Sequence, residues 1–225
     1  MRSVIFDFNG TLFPDADKHR EAWKRFLVKY GKGADDGELR SLDLGRTTES
    51  VLRGIFGEKI SKADISAHTL EKEAIYRDVC REDPTTCRLT AGAPEFFDFL
   101  KAEGVDFTIA TGCERTNVDF YFDEFKLGKW FDRTRVVLDD GTFPGKPAPD
   151  VYLRAAKILG REPADCVAFE DSLSGVRAAY AAGIGRIVAI TTDVSAERLL
   201  GCPGVEVAEP DFTNMKKLWA EVLYK

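Results

Sequence analysis

The sequence has no run of apolar residues near the ~18 needed to cross a bilayer, and only Val4-Ile5-Phe6 precedes the first acidic residue, Asp7. A membrane span and a secretory leader are therefore not expected, and a cytoplasmic location is. Basic charge is also short: 32 Lys and Arg stand against 38 Asp and Glu, a formal charge of -6, and nowhere do they form a stripe. That removes the electrostatic footprint of a nucleic-acid binder. The five cysteines (Cys80, Cys87, Cys113, Cys166, Cys202) are odd in number, widely spread and without a C-x-x-C pair, which excludes a disulfide framework and a structural zinc site. No internal repeat is present. What remains is 225 residues, 44% hydrophobic and 31% charged, enough chain to bury a core in one or two domains and too apolar to stay disordered.

Short apolar runs ending in polar residues mark expected strands at Val4–Phe8, Val105–Thr111, Arg135–Leu138, Cys166–Glu170 and Arg186–Thr191. They are apolar on both faces rather than alternating, as strands of a parallel sheet covered by helices on each side must be. Helical periodicity fills the intervals at Pro94–Ala102, Thr116–Phe125, Asp150–Leu159 and Leu173–Ala182. The alternation predicts an α/β fold with a doubly wound parallel sheet. Residues from Pro14 to Cys87 break the rhythm with helical patterning alone. Ala16, His19, Trp23, Phe26, Leu27 and Tyr30 share one face of a first helix, and further helices are expected at Asp36–Leu42, Thr48–Phe56 and Lys62–Val79. The expected division is a core of residues 1–13 and 88–225 with a smaller all-helical domain at 14–87. Val205–Lys225 should add an edge strand and a closing helix.

Ligands of open parallel sheets bind outside the carboxyl ends of the strands. Those ends carry Asp7 and Asn9, Thr111, Lys146, and the pair Glu170-Asp171. A carboxylate nucleophile, a hydroxyl, an ammonium and an acidic pair can attack a phosphoryl group, hold its oxygens and supply oxygen ligands for Mg²⁺.

The segments DFNGTLF (Asp7–Phe13), IATG (Ile109–Gly112), GKPAPDVY (Gly145–Tyr152) and FEDSLSG (Phe169–Gly175) resemble, in order, the four motifs of the haloacid dehalogenase superfamily. The helical insert stands where that family's first type of cap belongs. The nearest likeness is to the branch holding β-phosphoglucomutase and small sugar-phosphate phosphatases. The resemblance implies a Rossmann-like core with Asp7 attacking phosphorus to form an aspartyl phosphate. Thr111 and Lys146 would hold the phosphoryl oxygens, and Mg²⁺ would be bound by Asp7, Glu170, Asp171 and the backbone carbonyl of Asn9. It also implies that His19 and Lys72 of the insert, Arg46 in a loop after Gly45, and the segment Gly112-Cys113-Glu114-Arg115 meet the substrate. Cys113 has no neighbouring histidine in the sequence to serve as its base, so packing or substrate contact is expected of it rather than nucleophilic attack.

One residue departs from the pattern. Phosphatases and mutases of the superfamily place a second Asp two residues after the nucleophile, to protonate the leaving oxygen and later activate the attacking group. Here Asn9 occupies that place, and an amide exchanges no proton at neutral pH. Glu114 likewise stands where the mutase resemblance calls for a lysine. The expected function is a Mg²⁺-dependent phosphatase of small, sugar-phosphate-like metabolites. The alternatives are a β-phosphoglucomutase-like phosphotransferase and a weakly active phosphate-binding regulatory protein.

Overall fold

Val4, Ile5 and Phe6 are fully buried because the strand that carries them lies inside a sheet, with a parallel neighbour on either side. The structure, a computed structural model, describes residues 3–33, 35, 37, 39 and 48–220. In chain order its strands and α-helices are β1 (Ser3–Phe6), α1 (Ala16–Lys29), α2 (Thr48–Phe56), α3 (Lys62–Glu82), α4 (Ala93–Ala102), β2 (Phe107–Ile109), α5 (Arg115–Glu124), α6 (Asp150–Leu159), β3 (Cys166–Glu170), α7 (Leu173–Ala181), β4 (Arg186–Ile190), α8 (Ala196–Leu200), β5 (Val205–Glu209) and α9 (Met215–Leu218). The chain divides into two compact units, Met1–Pro14 with Arg88–Lys225, and Asp15–Cys87.

The first unit holds a parallel sheet in the order β2-β1-β3-β4-β5, the doubly wound α/β arrangement read from the strand and helix alternation. The order reverses direction at β1, so the crevice outside the ends of β1, β2 and β3 is the switch point of the sheet. Side chains on the two faces differ in kind. Phe6 meets Phe97 at 5.3 Å, Phe169 at 5.1 Å, Phe212 at 5.9 Å and Phe107 at 6.1 Å between ring centroids, mostly edge to face as ring quadrupoles prefer. One residue along, Ile5 points to the other face and shares a cluster with Tyr152, Ala155, Ala168, Ala178 and Ala179, and the small side chains of the alanines admit α6 and α7 close to the sheet. This is the period-two alternation of a strand with both faces covered. β5 is only partly buried, as suits an edge.

Arg135–Leu138 does not form a strand. Asp132 caps a 3₁₀ turn over Arg133–Arg135, and the segment reaches the sheet through a single bridge, Ala110 to Val137. β2 itself has three residues, and the apolar run Val136-Val137-Leu138 is buried without a longer partner to pair with. Its hydrophobicity reported burial rather than strand geometry.

In the second unit α1 buries Ala22, Trp23, Phe26 and Leu27, and these gather with Leu39, Val51, Leu52 and Ile65. α3 starts at Ser61, whose hydroxyl accepts from the Asp64 amide at 3.1 Å, and runs one turn beyond Val79 to Glu82. The helix expected at Asp36–Leu42 lies largely outside the described residues, as does the end of the chain beyond 220. No helix among the described residues is long and apolar enough to cross a membrane.

The ring cluster around Phe6 generates a stability prediction. Phe6→Ala should cost about 3–5 kcal/mol in equilibrium urea unfolding, and Phe6→Leu, which keeps more of the volume, substantially less. Equal losses for the two would assign the effect to the strand rather than to the filled space.

Candidate active site

The sheet ends on a hydrogen bond from the Asp7 amide to the Phe169 carbonyl, 3.0 Å, after which β1 and β3 each turn outward with an acidic side chain at the rim. Asp7, Glu170 and Asp171 are all buried, and each brings one carboxylate oxygen within 4.8 Å of the others. Lys146 reaches into this group from the loop before α6. Its ammonium donates to Asp7 Oδ1 at 2.6 Å and to Glu170 Oε1, and it lies 5.1 Å from the centre of the Tyr152 ring.

Neighbouring groups hold the carboxylates in place. The Tyr152 hydroxyl donates to Glu170 Oε1 at 2.8 Å, while Glu170 Oε2 accepts from the amides of Asp171 and Ser172 at 3.1 and 3.2 Å at the start of α7. The positive end of that helix thereby faces a negative charge. Ser172 caps α7 by accepting from the Gly175 amide at 3.0 Å. Thr11 donates to Asp171 Oδ1 at 3.0 Å, and its carbonyl accepts from the Thr90 hydroxyl at 2.7 Å. Gly10 has φ +79°, and a Cβ there would run into the Asp171 carboxylate; a Cβ on Gly175 would run into that of Glu170. Both glycines serve close approach.

Burial pushes Asp7 up to about 7; Lys146 opposes the shift and Glu170 reinforces it. Asp171 is raised well above the ordinary aspartate range by burial first, then by the charges of Glu170 and Asp7. Burial disfavours the Lys146 ammonium, but the Asp7 and Glu170 carboxylates outweigh it and hold the group above the ordinary lysine value. Burial and crowding, which raise the proton affinity of these carboxylates, also favour a divalent cation with hard oxygen preference, so the donor set fits Mg²⁺.

Thr111 is buried at the end of β2, where its hydroxyl oxygen accepts from the Cys113 amide at 3.1 Å. That leaves the hydroxyl hydrogen to be donated elsewhere. The Cys113 thiol donates to Asn9 Oδ1 at 2.8 Å, and Asn9 Nδ2 donates to the Tyr121 hydroxyl oxygen at 2.8 Å. Gly112 and Arg115 are exposed beside Cys113, and Glu114 precedes α5, its carboxylate accepting from the Thr116 hydroxyl.

His19 and Lys72 come together in the helical unit. The Lys72 ammonium donates to His19 Nδ1 at 2.7 Å and to Glu73 Oε1 at 2.9 Å, and lies 5.3 Å from the centre of the Trp23 ring. His19 stacks on Tyr76 at 4.0 Å, and the Tyr76 hydroxyl donates to Asp15. Lys72 is thus a buried cation within a polar network rather than an exposed helix charge. Arg46 lies outside the described residues.

A family model described as haloacid dehalogenase-like hydrolase matches residues 1–183. The chain belongs to this family. A phosphorylated carbohydrates phosphatase of Thermotoga maritima is 29% identical over 215 residues, 94% of this chain and 95% of that protein. The fructose-1-phosphate phosphatase YqaB of Escherichia coli is 30% identical over 187 residues, 82% and 94% of the two chains. Among solved structures, a HAD hydrolase of family IA, variant 3, from Entamoeba histolytica superposes with a TM-score of 0.89 at 35% identity, covering 94% of each chain. The sheet order and the flanking helices are those expected of a Rossmann-like core in this hydrolase family.

Sequence reasoning missed Tyr121, Thr11 and the part played by Tyr152. Tyr152 stood inside a quoted motif, yet nothing in its residue type showed that the hydroxyl would turn back to Glu170. Tyr121 offered a weaker signal still, one polar tip on the aromatic face of α5.

Asp7 sets a pH dependence whose sign follows from its shift. An unfolded aspartate loses its proton near 3.8, whereas Asp7 in the fold keeps it up to about 7. The folded state therefore binds more protons in that window, and stability is highest below it and falls as pH rises through about 7. Without metal, the thermal midpoint should drop by roughly 3 °C or more between about pH 5 and pH 8, on the usual scaling for a chain of this size. Asp7→Asn should shrink that drop, leaving the share of Asp171; an unchanged slope would assign the effect to other groups.

Proposed function

We propose that this hydrolase is a Mg²⁺-dependent phosphatase of small, sugar-phosphate-like metabolites, working through an aspartyl phosphate on Asp7. The observation that carries the reading is the meeting of Asp7, Lys146, Glu170 and Asp171 in one buried cluster at the switch point of the sheet. The names of the Thermotoga and Escherichia relatives, both phosphatases of phosphorylated sugars, support the substrate class.

In this reading Asp7 attacks phosphorus in line, its carboxylate oxygen forming the new bond as the ester oxygen departs. Water then opens the acyl phosphate and regenerates the carboxylate. Lys146, already 2.6 Å from the nucleophile, neutralises charge gathering on the phosphoryl oxygens, and Thr111 donates its hydroxyl hydrogen to one of them. Asp7, Asp171, Glu170 and the Asn9 carbonyl would hold the metal, which supplies positive charge against the incoming phosphate. Tyr152 and Thr11 keep Glu170 and Asp171 from turning away. The helical unit at 15–87 would act as a cap, with His19 and Lys72 contributing to recognition and closure excluding water. Glu114, an acid where the mutase resemblance calls for a lysine, favours hydrolysis over phosphoryl transfer between sugars.

Hydrolysis of p-nitrophenyl phosphate with and without Mg²⁺ tests the activity, and Asp7→Asn should abolish it while the protein stays folded by circular dichroism. Turnover near wild type in that variant would mean another group attacks. Asp171→Ala should remove calorimetrically detected Mg²⁺ binding, because a hard dication loses one of its oxygen donors. Unaltered affinity would overturn the metal assignment.

Asn9 can neither protonate a leaving oxygen nor activate water. Positioned acid-base catalysis is worth ~10²–10⁴-fold, so Asn9→Asp should raise turnover of an unactivated ester by roughly one to four orders of magnitude, and of p-nitrophenyl phosphate by less. Steady-state kinetics on the two esters decides this. No gain on either means that the proton is already handled by another residue.

A further inference from the structure

Resting on the phosphatase reading, we propose that Tyr121, together with Cys113, is a positioning residue that fixes the Asn9 side chain and turns residue 9 into a rigid, neutral hydrogen-bonding group of the reaction site. The backbone on either side of Asn9 is already held. The Asp7 amide bonds the Phe169 carbonyl at 3.0 Å, the Gly10 amide bonds the Phe13 carbonyl at 2.7 Å, and Asn9 and Phe13 form a bridge. The side chain is then tied at both ends, the amide nitrogen donating to the Tyr121 hydroxyl at 2.8 Å and the amide oxygen accepting from the Cys113 thiol at 2.8 Å. The thiol and the phenol are themselves 3.8 Å apart, which closes the three groups into a ring.

Both tethers are stiff. Tyr121 is 1% exposed, stacks on Phe8 with ring centroids 4.3 Å apart at 18°, and meets Phe13 edge-on at 6.3 Å, so the phenol cannot swing without breaking the aromatic cluster. Cys113 is held by its amide to Thr111 and by its carbonyl, which accepts from the Asp139 amide at 2.9 Å. The Cys113 tether thus joins the loop after β1 to the loop after β2, and it fixes Asn9 and Thr111 relative to one another. An amide held in this way meets a developing charge without first being ordered, and a preorganised dipole acts only as well as it is held.

The positioning claim makes the phenol and the thiol act through Asn9, which a double-mutant cycle detects. Tyr121→Phe keeps the ring stack and deletes one oxygen; Cys113→Ala removes the donor and Cys113→Ser restores one. On p-nitrophenyl phosphate with Mg²⁺, Tyr121→Phe and Cys113→Ala should each lower kcat about tenfold, the worth of one well-placed hydrogen bond, with KM changed by less than about twofold. Cys113→Ser should recover most of the loss. In an Asn9→Ala background neither Tyr121→Phe nor Cys113→Ala should reduce kcat further. In ¹⁵N-labelled protein the Asn9 side-chain amide signals, identified by their absence in Asn9→Asp, should shift in Tyr121→Phe. Losses in the Asn9→Ala background as large as in the wild type, or Asn9 signals that stay in place, would overturn the proposal. Absence of any phosphate-ester turnover by the wild-type protein would instead overturn the phosphatase reading, and the amide signals would still report whether Tyr121 holds Asn9.

Discussion

Everything at the carboxyl end of this sheet depends on one electrostatic fact: three buried carboxylates share a space less than 5 Å across, and the Lys146 ammonium stands between two of them. Like charges at that separation, in a medium less polarisable than water, cannot all be ionised without help. Lys146 relieves part of the conflict, and the amides at the start of α7 relieve another part. Burial, which disfavours the charged form of each carboxylate, adds to what remains of that repulsion, and together they appear as proton affinity on Asp7 and Asp171. A site with charge still to be neutralised is suited to a dication and to the anion it accompanies. On the proposed reading, the same imbalance that makes the cluster costly to bury would supply affinity for a cation.

Such a cluster has to be built on a frame that does not yield, and the sheet provides it through two unlike faces. Aromatic rings wedge one side of β1 and β3, while alanines on the other let α6 and α7 lie close. Both helices matter chemically. Residue 152 on α6 supplies the hydroxyl that holds Glu170, and α7 directs its first amides at the same carboxylate. Packing against the alanine-rich face therefore sets distances in the candidate site, so the two cannot be adjusted independently.

The strands other than Arg135–Leu138, and the acidic and hydroxyl residues at their ends, were legible in the sequence, because each depends on local pattern: an apolar run, then a polar residue at its end; the strand order, and with it the switch point, was not. Arg135–Leu138 showed where that reasoning stops, since burial and strand pairing leave the same mark on a short apolar run. The reach of side chains across the sheet was not legible either. Tyr121 lies 112 residues from Asn9 and Thr11 lies 160 from Asp171, and neither pairing leaves a periodic trace. Asn9 was visible as a departure from the family pattern, but its neighbours had to be seen before the residue could be read as a held group rather than as a vacancy.

Gly10 and Gly175 have a further meaning. Neither can give up a proton, bind a cation or touch a phosphate with a side chain, yet each leaves clearance for one acidic group where a single methyl would collide with it. They work as machining tolerances do in a fitted joint, defining by what they omit how near the moving parts may come. A mutational scan of this enzyme ranked by chemical reactivity would pass over both positions. Ranked by clearance, they stand beside the carboxylates themselves.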